Sequence, residues 1–264
     1  MTVSTTQAFT RRRLLAATCL AASAAMLPTN PAAAQDALAQ IRQAGVIKIG
    51  NSAAFPPFEF VRDGELVGYD IDLGNEIARR MGVKAEWQRI DFAGIIAALT
   101  SKRVDMLVTA MVKTPERAEH IAFSEPYYNS GIAAAARPGV TVKVPEDLAG
   151  KIVAVQVGTA GERYVRDNFG TKVKEIKTYD EFLLAVADVE AGRADVVVNT
   201  MPPVRYNVLR RGGKLQIVGP WDTREVGINT RKEDTALLTE INRQLADLKR
   251  EGFLDKLDAK WFTE

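Results

Sequence analysis

DMLVTAMVKTPERAEHIAFSEPYY (105–128) decides how the rest of the chain is read. DMLVTAM (105–111) is an apolar run of strand length, suited to a strand buried on both faces. A turn follows, and TPERAEH (114–120) begins a short helix with Pro115 at its first position. IAFSEPYY then reads as extended chain. A strand that runs into a helix N-terminus gathers free backbone N–H groups and favours an anion there. Arg117 sits in that first turn, and its planar fork suits a carboxylate. An isolated arginine is ordinarily a solvated surface residue, so its place at the strand end is what singles it out.

The same alternation runs outward in both directions. Upstream, the residues from Asp36 to Ala44 read as a helix, VIKIGNS (46–52) as a β-branched strand and LVGYD (66–70) as strand-like. Asp70 is expected to cap the helix IDLGNEIARRMG (71–82). KAEWQRI (84–90) alternates as a strand, and DFAGIIAALTSKR (91–103) is an amphipathic helix. Downstream, IVAVQVG (152–158) and ADVVVN (194–199) are strands. GERYVRDNF (161–169), DEFLLAVADVEAG (180–192) and PPVRYNVLRRG (202–212) are helices. GINTRK is a further strand, and a helical tail from Asp234 to Phe262 breaks near Gly252. Two strand–helix series imply an α/β protein of two lobes with mostly parallel sheets. Crossovers are expected near Ser130–Arg137 and Gly219–Gly227, as ordered hinge strands, since no Gly/Ser linker separates the series.

Composition excludes several functions. Lys+Arg is 35 against 33 for Asp+Glu, so no strong field points at nucleic acid. One Cys and one His build no zinc, haem or iron–sulfur site and no disulfide. No metal or other cofactor is expected. A triad would have to use His120, which sits in a polar stretch that reads as a solvated helix end.

The first 34 residues read as an export signal. Arg11, Arg12 and Arg13 precede a short apolar run, Leu14 to Leu27, and Ala32-Ala33-Ala34 offers a cleavage site. The arginines followed by Leu14-Leu15 fit a twin-arginine signal or an ordinary secretory one. Cys19 lies too close to them, behind a poor lipobox, for lipidation. Cleavage near Ala34 would remove three basic and no acidic residues, along with the chain's only Cys. A periplasmic chain would then be held by its core alone.

Several segments together resemble the periplasmic solute-binding proteins of polar amino-acid ABC transporters, family 3 of the bacterial extracellular solute-binding proteins. They are FPPFEF (55–60), GELVGYDIDLGNEIARRMG (64–82), DFAGIIAALTSKRVDMLV (91–108) and KTPERAEHIAFSEPYY (113–128). DLAGKIVAVQVGTAGERY (147–164), AGRADVVV (191–198) and REGFLDKLDAKWF (250–262) complete the set. The resemblance implies a type II periplasmic-binding-protein fold. Lobe one would hold 35–133 and 225–264, and lobe two 134–224. Arg117 would clamp the ligand carboxylate, with Thr109 and the backbone of Ala110 and Val112 contacting carboxylate or amine. Phe55 and Phe92 would wall the side-chain pocket. Thr159 and the backbone of Ala160 would meet the carboxylate from lobe two.

Two departures bear on the ligand. Where the family usually has an Asp for the α-ammonium, this chain has Thr200, preceded by Asn199. The amine is then held by backbone and water, another acid takes over, or the ligand lacks an α-ammonium. Relatives that take basic amino acids often have Asp at the position of Ser52, so a neutral residue argues against lysine or arginine unless Asp91 or Glu59 reaches in. Glu59 itself reads as a structural acceptor. Val112 replaces a common hydroxyl residue.

The implied role is an importer's binding component. It would close on a carboxylate-bearing solute, an amino acid or a related acid, and pass it to a membrane permease, acting as a monomer and without catalysis. The alternative is an enzyme like the cyclohexadienyl dehydratases, which share the scaffold. Dehydration needs a general acid in the cleft, and Glu162 is the nearest candidate.

Overall fold

The computed structural model describes residues 36–212 and 214–262. The export signal expected over residues 1–34, with its three arginines and Cys19, lies outside the described residues. α1 (Ala37–Ala44) is capped by Asp36, whose side chain accepts from Ala39 N at 2.8 Å, and ends on left-handed Gly45. β1 (Val46–Asn51) is followed by β2 (Ala54–Phe55), β3 (Glu59–Arg62) and β4 (Glu65–Val67), then α2 (Tyr69–Arg80), β5 (Lys84–Arg89), a 3₁₀ turn (Phe92–Gly94) and α3 (Ile95–Thr100). Next come β6 (Met106–Leu107), α4 (Pro115–His120) and β7 (Ala122–Phe123). The long β8 (Tyr128–Ala136) opens a second series: β9 (Ile152–Gln156), α5 (Ala160–Phe169), β10 (Glu175–Tyr179), α6 (Phe182–Glu190), β11 (Val196–Thr200), α7 (Met201–Arg210) and β12 (Gln216–Val218). β13 (Thr223–Val226) and β14 (Asn229–Thr230) lead back to α8 (Thr235–Arg250) and α9 (Phe253–Trp261).

The two lobes repeat one plan. The first sheet has order β5-β1-β6-β14-β7 and the second β10-β9-β11-β8-β12, while β2, β3 and β4 form a small separate sheet. β1 is parallel to β5 and β6, and β9 is parallel to β10 and β11. In each main sheet a single strand runs against the rest: β14 in the first, β8 in the second. Each is the strand by which the chain enters that lobe after crossing over. The near end of β8 pairs antiparallel with β13, from Tyr128↔Val226 to Gly131↔Thr223, before its far end joins the second sheet.

The core follows from residue type. Central strands read apolar throughout because both faces are covered: Ile47, Ile49, Met106 and Leu107 in the first sheet, Val153, Val155 and Val196–Val198 in the second, all fully buried. Phe58, Tyr69, Tyr128 and Phe262 make an aromatic cluster, with Phe262 stacked on Tyr69 at 5.3 Å and tilted against Tyr128 at 4.9 Å. Phe58 and Tyr69 are therefore packing residues.

Asp70 is not the cap of α2. The helix starts at Tyr69 behind Gly68, whose φ of 141° and close approach to Phe58 O admit no side chain. Asp70 instead turns inward and is fully buried. DMLVTAM is a strand for only two residues. Beyond Leu107 the chain departs from the sheet, and Ala110 takes a left-handed φ of 47°.

Candidate functional site

The C-terminal ends of the parallel strands of both sheets face one another, the usual place for a ligand in α/β proteins. Between them lies a cavity of about 330 Å³. Every residue that the sequence singled out for the site lines it. Lobe one supplies Phe55, Phe92, Thr109, Ala110, Val112 and Arg117; lobe two supplies Thr159, Ala160 and Thr200. Ser52 lines it too, with Gln156 and Asn199, which the sequence reading did not choose. Asp91 and Glu59 do not.

Arg117 is positioned by its helix. Thr114 caps α4, accepting from Arg117 N at 3.3 Å, and Pro115 fixes the first turn. The guanidinium lies over the Phe92 ring at 5.4 Å. It donates from Nη1 to Val112 O at 2.5 Å and from Nη2 across the lobes to Gly158 O at 2.8 Å. Both acceptors are neutral carbonyls. Burial, assisted by the positive charge of Arg163, pulls the guanidinium down to about 10. An anion in the cavity would offset that desolvation.

Thr159 caps α5. Its hydroxyl accepts from Glu162 N at 3.2 Å and donates to Gln156 O at 2.8 Å. The first N–H groups of α5, on Ala160 and Gly161, have no carbonyl within the helix to reach. α5 packs tightly on β11: a Cβ at Gly161 would meet Asn199 Cα and Val198 O at 2.8 Å. Thr200 begins α7 but makes no side-chain cap, because α7 opens Met201-Pro202-Pro203 and the prolines carry no N–H to accept from. Its hydroxyl thus faces the cavity without a capping duty.

The floor rests on two buried acids. Glu59 Oε1 accepts from Thr109 Oγ1 at 2.6 Å and from Ser52 Oγ at 3.1 Å. Asp70 accepts from Ala110 N at 2.6 Å and from Tyr127 OH at 2.8 Å. Desolvation holds Glu59 well above the ordinary carboxylate range, and Asp70's charge adds to it. Desolvation also pushes Asp70 up to about 7. Both shifts run the same way, so burial disfavours ionising the two carboxyls together. The Ala110 N–H is held by Asp70, and Thr109 gives its hydroxyl proton to Glu59. Ala110 brings no free donor to the cavity, and Thr109 turns an acceptor toward it.

Across the lobes, Phe55 meets Phe182 edge-on at 6.0 Å while stacking on Phe58 at 6.3 Å, so it is both wall and core. Ion pairs Arg163–Glu116 and Arg89–Glu181, each 2.8 Å, flank the cleft. Glu162 does not line the cavity; it accepts from Gly158 N at 2.6 Å and Arg166 Nε at 2.9 Å. His120 is exposed.

Two α/β lobes with a cavity at their facing strand ends define a periplasmic-binding-protein fold of type II. The chain belongs to the bacterial extracellular solute-binding proteins, family 3, which it matches over residues 47–264. It is 31% identical over 229 residues to the L-cystine-binding protein TcyJ of Escherichia coli, covering 85% of each chain. It is 31% identical to an L-arginine-binding protein of Pseudomonas aeruginosa, over 82% of this chain and 88% of that one. Among solved structures, a mutant of ArgBP from T. maritima is similar with a TM-score of 0.81 and 41% identity, over 86% of this chain and 99% of the other. AncCDT-1, an ancestral amino acid-binding protein described as a precursor of cyclohexadienyl dehydratase, is similar with a TM-score of 0.81 and 32% identity, over 86% and 99%.

Proposed function

We propose that this protein is the periplasmic binding component of an ABC importer, which captures an amino acid or related carboxylate and delivers it to a membrane permease. One observation carries the reading: a buried guanidinium, Arg117, lines an inter-lobe cavity and, among the described residues, donates to two neutral carbonyls and to no carboxylate. Its unengaged N–H groups and the α5 N-terminus converge on the same space, which suits a carboxylate. The Thr109 hydroxyl oxygen, backed by the Glu59 carboxyl, suits an α-ammonium in place of the family's usual Asp. This is the "another acid" alternative, acting through a hydroxyl. Relatives named for cystine and arginine support an amino acid.

The lobes divide near residues 133/134 and 224/225, and binding is coupled to their closure over β8 and β13. Ligand contacts from both lobes favour the closed form over the open one. The protein acts as a monomer and is exported to the periplasm with cleavage near Ala34. No catalysis is assigned. Glu162, the acid a dehydratase would need, is held by a backbone N–H and Arg166, away from the cavity.

A thermal-shift panel of amino acids, keto acids and small carboxylates tests the reading. A ligand at ~100 times its Kd adds ~2.7 kcal/mol. At least one carboxylate is expected to raise Tm, and Arg117→Ala to abolish the shift while staying folded. No shift with any carboxylate, or an unaltered shift in Arg117→Ala, refutes it. Turnover of prephenate or arogenate that Glu162→Gln removes would favour the enzyme.

A further inference from the structure

Two buried side-chain atoms on the lobe-two wall are matched by no group among the described residues: Gln156 Oε1 and Asn199 Nδ2. Their residues are only 2% and 1% exposed. Both amide orientations are fixed by backbone partners. Gln156 Nε2 donates to Asp180 O at 3.1 Å, and Asn199 Oδ1 accepts from Thr200 N at 2.9 Å. Flipping either amide would set donor against donor or acceptor against acceptor. Gln156 therefore offers an acceptor and Asn199 a donor. The two are neighbours: β9 and β11 are parallel with Val155 opposite Val198, and the next step in that register puts Gln156 beside Asn199.

We propose that Gln156 and Asn199 form a paired acceptor–donor subsite that selects ligands whose far end is an uncharged carboxamide. The inference rests on the carboxylate reading of Arg117, which anchors the other end. A carboxamide gives an N–H to Gln156 Oε1 and a carbonyl oxygen to Asn199 Nδ2. An ammonium or guanidinium has donors only and would oppose Asn199 Nδ2. A carboxylate has acceptors only and would oppose Gln156 Oε1. An alkyl chain leaves both buried groups unpaired, which is costly in a dry cavity. Among the described residues Arg117 is the only charged side chain that lines the space, so none of them directly balances a second charge on a ligand.

Calorimetric titration of the purified protein with glutamine, asparagine, glutamate, lysine and norleucine is the test. Glutamine or asparagine is expected to bind at least about tenfold tighter than the other three. Gln156→Leu should bring the carboxamide ligand and norleucine to within about threefold of each other. Asn199→Asp keeps an oxygen for Thr200 N and replaces the donor with an anion, so preference should move toward lysine. If Gln156→Leu fails to fold, the wild-type order and Asn199→Asp decide. Amino acids that bind through Arg117 with no carboxamide advantage would overturn the subsite and leave the proposed function intact. Absence of binding by any amino acid or other carboxylate would overturn both.

Discussion

Arg117 shows how one side chain depends on its setting. Charge alone does not make the proposed clamp, because its fork also donates to Val112 O and reaches Gly158 O on the other lobe. A lysine keeps the charge and loses the fork. Arg117→Lys should therefore weaken carboxylate binding at least about tenfold by calorimetry; parity with wild type would reduce the guanidinium to a point charge. The acid pair below makes a different prediction. Asp70 is raised to about 7 and Glu59 is raised too, both by burial. Between pH ~4 and ~7 the folded protein holds protons that the unfolded chain releases. That contribution is whole below pH ~4 and lost as pH rises through 7. The urea midpoint should fall from pH 5 to 8, and Asp70→Asn should flatten the fall. An equal slope in both proteins would remove Asp70 from the account. At this scale the sequence was legible through motif spacing. Arg117 stood out by its strand-end place and the resemblance added the two aromatic walls, whereas Gln156 and Asn199 were not chosen because they stand at or next to the end of apolar strands, IVAVQ and VVVNT, that read as core. A polar residue closing a buried strand was the available signal. Asp70 misled because an Asp ahead of a helical run usually caps it.

Elements separate two threonines that the sequence made look alike. Thr159 and Thr200 both stand between a strand and a helix. Thr159 caps α5 through Glu162 N, whereas the prolines at the start of α7 leave Thr200 nothing to cap. Thr159→Val should cost ~1 kcal/mol in urea unfolding, and Thr200→Val less than about half of that. Equal costs would mean that Thr200 has a structural bond. Gly161→Ala should destabilise by ~1–3 kcal/mol, since its Cβ would strike the β11 backbone at 2.8 Å, where nothing flexible can yield. Helices were legible from periodicity and breakers, such as Pro115 in α4 and Gly252 between α8 and α9, while Asp36, read as part of α1, proves to be its cap. Short strands such as β6 were overextended, because apolar runs continue past the last ladder bond where Ala110 turns out of the sheet. The small sheet of β2, β3 and β4 has too few residues per strand for alternation to register.

Across the whole molecule, the lobes meet through ion pairs and aromatic contacts as well as through the site. Arg163–Glu116 and Arg89–Glu181 involve side chains 37–59% exposed. Exposed pairs contribute roughly 0–1 kcal/mol. Neutralising both with Glu116→Gln and Glu181→Gln should change ligand Kd by less than about tenfold. A loss as deep as that of Arg117→Ala would show that the rim, not the cavity, drives closure.

The ladder from Tyr128↔Val226 to Gly131↔Thr223 binds the outgoing and returning crossings into one ribbon. A Cβ at Gly131 would lie 2.4 Å from Pro220 Cβ, so the ribbon is also tightly packed against the chain beside it. Two separate tethers would let the halves twist, slide and tilt independently. Stitched side by side, they should act as a single flexure that bends about one axis. On the proposed closure, a few backbone amides away from the cavity would then prescribe how the two walls approach and bring the Arg117 fork to Gly158 in one alignment.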